Sequence, residues 1–254
     1  MSKTQRFTDE PAFVLHRYDW SETSLILDVF TRQHGRLAVV AKGAKRPTSQ
    51  LRPVLLPLQP LLLAWSGTGE VHTLKTAHWR GGHVMPVGEA LLAGTYFNEM
   101  LMRLLVRNDP HPRLFDGYAQ AVERLAQRGT PDPAVLRAFE LLLLREAGLL
   151  PELRADGSSL QALNPQTPYL LSPEGGLRRA EPGERSALAG AQFLVLQDAL
   201  DDAPHFAGLV AACAPCQTGL QAQLRHLLHY HCGVKSFKTR QMMLDVQALV
   251  RSNL

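Results

Sequence analysis

A chain of 254 residues, 45% apolar and 20% charged, has room for two or three units of ~100–200 residues each, and none of its stretches approaches the ~18 unbroken apolar residues of a membrane span. Three cysteines, an odd number, argue against a disulfide framework and suit a reducing, cytoplasmic setting. The formal charge of +4 is localised: residues 1–80 hold 11 Lys+Arg against 6 Asp+Glu, while residues 81–254 hold 16 against 17, so a polyanionic partner is expected at the N-terminal end.

From Phe13 to Trp79 apolar residues recur with a period of two, the pattern of strands. Residues 24–32 and 36–42, separated by His34-Gly35, predict a hairpin. In its second strand Leu37, Val39 and Ala41 share one face, and Arg36 and Lys42 bracket Ala38 and Val40 on the other, predicting an exposed strip with basic ends. Pro57 and Pro60 interrupt residues 54–65 and predict an edge or bulge, because proline cannot donate to a sheet ladder. Gly67-Thr68-Gly69 then turns the chain into residues 70–75, making about five short strands, the count of a small closed barrel of the OB-fold type.

After Gly81-Gly82 the period becomes helical, through Val87, Leu91, Leu92, Tyr96, Leu101, Leu104 and Leu105, and again through Leu114, Phe115, Tyr118, Val122 and Leu125. Asp132-Pro133 predicts an N-cap with proline in the first helical position, and Gly148 a helix end. Residues 151–185, with five prolines, predict an irregular insertion whose only extended piece is 169–171. Helical spacing returns through Phe193, Phe206, Leu220 and a last helix near 236–250. The expected class is α+β multidomain: an OB-fold nucleic-acid-binding domain over 1–80, a helical domain over 81–150 and 186–254, and the insertion over 151–185.

Chemistry-bearing motifs are few. Cys213-Ala214-Pro215-Cys216 with His226, His229, His231 and Cys232 has the makings of a zinc site, but Cys213 falls seven residues after Phe206 on an apolar stripe, which favours buried thiols. His72, His78 and His83 could touch phosphate or bases, or be solvated. No nucleophile elbow, phosphate loop or paired-carboxylate motif is present, so no catalytic residue, metal or cofactor is assigned. The basic loop is the main candidate: Lys42, Lys45, Arg46 and Arg52, with Arg17, Arg32 and Arg36, and more weakly Lys75 and Arg80, could displace counterions from phosphates, while Trp20, Phe30 or Trp65 could stack bases. A solubilising loop would look similar. Lys235, Lys238 and Arg240 open the last helix, where cations are unfavourable unless an anion is nearby.

Val14-Leu15-His16-Arg17-Tyr18, Glu22-Thr23-Ser24-Leu25-Ile26-Leu27 and residues 35–44, followed in order by Tyr96-Phe97-Asn98-Glu99, Asn108-Asp109-Pro110 with Leu114-Phe115, Arg137-Ala138-Phe139-Glu140, Gly148-Leu149 and Lys235-Ser236-Phe237-Lys238-Thr239-Arg240, resemble the landmarks of the RecO family of bacterial recombination mediators. The resemblance covers essentially the whole chain. It implies an OB-fold with a helical domain, and a non-catalytic role in the RecF pathway: binding single- and double-stranded DNA, annealing complementary strands, contacting the acidic tail of the single-strand-binding protein, and helping load RecA together with RecR. An apolar groove with a cationic rim would suit that tail, with Arg124, Arg128 and Arg137 as candidates. Many members carry two C-x2-C pairs in the segment equivalent to 151–179. This chain has no cysteine there, so a degenerate zinc module without zinc is expected, with a vestigial β-turn over 169–179. An RNA-binding OB protein and a metal-dependent nuclease are the competing readings.

Overall fold

The computed structural model describes residues 6–202 and 205–252. Five strands, β1 (Arg6–Asp19), β2 (Leu25–Thr31), β3 (Gly35–Ala41), β4 (Leu61–Ser66) and β5 (Val71–Trp79), close into a barrel in the order β1-β2-β3-β5-β4. All neighbours are antiparallel except β3 and β5, the arrangement of an OB-fold. β1 is 14 residues long and serves both β2 and β4, with irregularities between Phe7 and Glu10 and between Val14 and His16 that bend it around the barrel. Val14, Leu27, Val29, Leu37, Val39, Leu61, Leu63 and Trp65 fill the interior, the inward set of a period-two pattern.

The predicted exposed strip is a buried surface. Ala38 is buried and Val40 half-buried, because helices α1 (Gly88–Leu104) and α2 (Pro112–Arg128) cover the outer face of β1–β3. Phe13 and Phe30 pack on Phe115 and Tyr118, and Asn98 donates to the Leu15 carbonyl (3.0 Å) while accepting from the Tyr118 hydroxyl (2.6 Å). β2 and β3 are therefore buried on both faces along most of their length. Gly35 has φ +67°, and a Cβ there would run into the Asp109 carbonyl, so the β2–β3 turn lies directly on the α1–α2 link. The proline-interrupted run forms a strand only over Leu61–Ser66; before it the chain is a series of turns in which Pro57 makes an isolated bridge with Val14.

By compactness the chain divides after Thr130: the barrel, α1 and α2 form one unit, which also takes in the chain from Asp245, and Pro131–Leu244 forms another. In the second unit Asp132 caps α3 (Pro133–Glu146) by accepting from the Ala134 amide at 2.9 Å, and Gly148 follows its end at φ +69°. Residues 151–185 are more regular than their prolines imply. β6 (Pro168–Ser172) and β7 (Gly176–Arg179) form a hairpin, joined by the short β8 (Leu188–Ala189) in the order β7-β6-β8. Two buried amides fasten this segment to α4 (Gly190–Asp201) and α6 (Gln217–Cys232): Gln197 accepts from the Leu153 amide (3.1 Å) and Gln223 from the Leu171 amide (2.7 Å). α5 (Phe206–Cys213) and α7 (Lys238–Ser252) complete the helices. Among the described residues no helix is long and apolar enough to cross a membrane.

Residues 151–179 offer neither a thiolate nor an imidazole to a zinc ion. Their turn is closed by Asp156, whose Oδ1 accepts from the amides and hydroxyls of Ser158 and Ser159 at 2.7–3.1 Å. Those bonds, that of the Ser158 hydroxyl first, pull the Asp156 carboxyl down to about 2.

Candidate nucleic-acid interface

Strand register gathers the basic loop and the β1–β2 turn at one end of the barrel. Arg17 pairs with Leu27, Asp19 with Leu25, and Leu25 in turn with Ala41, so the last residues of β1 and β3 flank the start of β2. The loop after β3 is folded rather than loose. Gly43 takes φ +70°, successive turns run through Arg46, Ser49 and Arg52, and the buried Ala44 and Leu55 root the loop in the barrel core. The Lys45 amide donates to the Thr23 carbonyl at 2.9 Å, tying loop to turn.

Between them lies a cleft of about 430 Å³ whose floor is Leu25, Ala44 and Leu55 and whose polar wall is Arg17, Asp19, Lys45 and Arg52. Lys45 Nζ stands 3.1 Å from Asp19 Oδ1 and donates to the Ser21 carbonyl at 3.0 Å; Arg17 Nη1 donates to the Leu55 carbonyl at 3.4 Å. Lys42 and Arg46 are exposed beside it. Two residues past the Val40–Thr73 pair stand Lys42 on one strand and Lys75 on the other, both exposed. Trp20, 66% exposed, and Tyr18, 41% exposed, crown the adjoining turn. This end of the barrel thus offers five cations (Arg17, Lys42, Lys45, Arg46, Arg52) against Asp19 and Glu22, with an open indole. Asp19 and the apolar floor were missed in the sequence; the signal for the floor was Ala44, a lone apolar residue inside Lys42-Gly43-Ala44-Lys45-Arg46.

Other predicted residues lie elsewhere. Arg32 and Arg36 belong to the opposite end of β2 and β3 and serve the barrel–helix seam. Arg32 holds Asp116 of α2 through two bonds of 2.8 and 2.9 Å, which raise its guanidinium further, and Arg36 donates to the Met102 carbonyl of α1 at 2.7 Å. Next to it the buried Asp28 pairs with Arg107 at 3.2 Å, and burial, then Asp28, raises the Tyr18 phenol above its ordinary value. Phe30 and Trp65 are core rings, Trp65 stacking on Phe7 at 4.9 Å, so of the three proposed stacking rings only Trp20 is open. Arg80 is exposed just after β5, its amide bonded to the Pro60 carbonyl. His72 and His83 brace loops through the Gly67 and Leu58 carbonyls (3.3 and 3.0 Å), and His78 is exposed.

In the second unit Lys235 and Lys238 are exposed and Arg240 half-buried near the start of α7. His229 of α6 is held below its ordinary value by burial, then by Arg225, Arg240 and His226. Arg137 does not rim a groove: it is 6% exposed and bonds Glu140, 2% exposed, at 2.6 Å within α3, a helix buried nearly all round. Arg124, half-buried, and Arg128, exposed, belong to α2 in the first unit. Cys213 and Cys216 are buried, and burial pushes both thiols up. Among the described residues no group of three or more His, Cys, Asp or Glu side chains is placed to hold a metal ion.

Two family descriptions match the chain: "Recombination protein O N terminal" over residues 4–82 and "Recombination protein O C terminal" over residues 85–241. It is 58% identical over 247 residues to the DNA repair protein RecO of Polaromonas sp. strain JS666, covering 97% of this chain and 99% of that one. Against the DNA repair protein RecO of Albidiferax ferrireducens identity is 57% over 247 residues (97% and 98%), and against that of Verminephrobacter eiseniae 58% over 254 residues (98% and 100%). Matched in both halves, and more than half identical to relatives along their full lengths, the chain belongs to the RecO family of DNA repair proteins.

Proposed function

We propose that this protein is a non-catalytic DNA-binding mediator that holds single- and double-stranded DNA on the basic end of its barrel and brings complementary strands together. The observation that carries this reading is the convergence of Arg17, Lys45 and Arg52 on one cleft, with the exposed Lys42 and Arg46 in the same loop and the open Trp20 on the neighbouring turn. Two strands repel each other through their phosphates. A rigid cationic surface displaces condensed counterions from both and leaves base edges free to pair, so it lowers the encounter barrier without covalent chemistry.

Lys75 and Arg80 extend the surface, and Lys235, Lys238 and Arg240 form a second contact on the other unit. Arg32 and Arg36 are excluded from it, since Asp116 and the Met102 carbonyl already engage them. With family membership, the same reading includes RecR and the tail of the single-strand-binding protein as partners, and RecA loading in the nucleoid as the outcome; Arg124 and Arg128 are the surface cations retained for the tail.

The test is the variant Lys42→Ala/Lys45→Ala/Arg46→Ala. Because each lost phosphate contact lowers the slope of log affinity against log salt by about one, the triple variant should lose about three and weaken all sequences alike. Annealing of strands coated with single-strand-binding protein should slow in parallel. Unchanged affinity for single strands at low salt overturns the assignment.

A further inference from the structure

Away from the basic cleft the first unit contains a second recess, of about 160 Å³, at the end of the barrel where the β2–β3 turn meets the α1–α2 link. Its lining has a different chemistry. Phe7 and Trp65 are stacked 21° from parallel, and the His34 ring meets both edge-on at 4.6 and 5.5 Å. His72 lies 6.4 Å from Trp65 on the far side. Gln33 and Asn108 stand exposed at the mouth, and neither side-chain amide has a hydrogen-bond partner among the described residues. None of the lining residues is Lys, Arg, Asp or Glu, so the recess is not built for a phosphate. Inside it Trp65, 1% exposed, has an Nε1–H with no partner among the described residues, an unmet donor in an aromatic wall.

The half-buried rings of Phe7, His34 and His72, a volume that admits one planar ring, and free amides able to donate and accept at the mouth match the needs of a single unpaired nucleobase, which stacks on aromatic side chains and satisfies its Watson–Crick edge with amide groups. We infer that this recess receives one base of the bound strand, so that the barrel grips a polynucleotide by its phosphates at one end and by a base at the other. This rests on the reading of the basic end as a polynucleotide site, and adds to it a contact that salt does not screen.

The test measures affinity for an oligodeoxythymidylate and for an abasic strand of equal length. The wild-type protein is expected to prefer the base-bearing strand by at least about fivefold, the worth of one stacked base. Gln33→Ala/His34→Ala should lower that preference by about fivefold and leave abasic binding unchanged, while the Lys42/Lys45/Arg46 triple alanine variant weakens both strands equally and keeps the ratio. An undiminished preference in Gln33→Ala/His34→Ala overturns the base site and leaves the phosphate site standing; unchanged affinity for both strands in the triple variant overturns the phosphate site instead. Photocrosslinking of a bromodeoxyuridine strand to the wild-type protein needs no variant to fold. Adducts on Phe7, His34 or His72 support the recess, and adducts confined to Trp20 overturn it.

Discussion

On the proposed function, Asp19 competes with phosphate for Lys45 in the basic cleft. It stands opposite Leu25 at the end of β1, within reach of Lys45, and is itself well exposed, so its pairing with Lys45 is one of the weak surface kind. An incoming phosphodiester has only to replace one carboxylate, and the ammonium is already oriented by the Ser21 carbonyl. Asp19→Asn should therefore raise affinity for single strands about two- to fivefold, the range of a surface ion pair, with the gain fading as salt rises. Fluorescence anisotropy at two ionic strengths reads this directly; an unchanged or lower affinity means that the cleft is not where phosphates sit. Arg137 is the opposite case. Its charge and that of Glu140 are both withdrawn from water, so Arg137→Ala takes the guanidinium away from a buried carboxylate and should destabilise the second unit by up to about 3–5 kcal/mol. Arg137→Met/Glu140→Leu, which removes both charges, should recover most of it. Denaturant melts of the two variants decide between a structural ion pair and a partner-facing arginine, for which the double variant would be folded as well as the single one.

Among the elements, the hairpin of β2 and β3 and the helices from α1 to α3 were legible because their signals are local: alternation, a glycine in the left-handed region, an Asp-Pro start. Burial of the second face of that hairpin was not. Phe30, Arg32, Arg36 and Ala38 read alike whether that face meets water or α2, and only the distant Phe115 and Asp116 decide it. The same holds for the site: the cations of the loop could be read as a group, but separating Arg36, near the start of β3, from Lys42, just past its end, needs the three-dimensional partner of each. The insertion shows a third kind of element, a turn stabilised by one charge. Bonds from Ser158 and Ser159 hold the Asp156 carboxyl at about 2 in the folded chain, below its unfolded value of about 4. A depressed folded pKa gives stabilisation that is complete above pH 4 and fades as the pH falls from 4 through 2. The protection of the Ser158 and Ser159 amides, taken relative to the intrinsic exchange rate at each pH, should fall across that window, and in Asp156→Ala it should be low at every pH and show no such step.

At the scale of the molecule, charge and compactness draw different boundaries. The change of sign from +5 to about neutral falls near residue 80, and the family descriptions part at 82 and 85, yet the compact unit that contains the barrel extends to Thr130. The reason is the apolar outer face of β1–β3. Without α1 and α2, Phe13 and Phe30 would be bared, at about 1.5–3 kcal/mol each, and Asn98 and Asp116 would leave the Leu15 carbonyl and Arg32 unpaired. For a small barrel with a stability of about 5–15 kcal/mol, that loss is a large fraction of the whole. A fragment of residues 1–80 should accordingly be unfolded or associate through its exposed strands, whereas residues 1–130 should be folded and monomeric and bind single strands with the salt dependence of the barrel contacts, smaller than that of the full chain by the share of Lys235, Lys238 and Arg240. Size-exclusion chromatography with circular dichroism, followed by anisotropy on whichever fragment folds, separates the two. A stable, DNA-binding 1–80 fragment would show that the helices are dispensable to the barrel and that its outer face tolerates water.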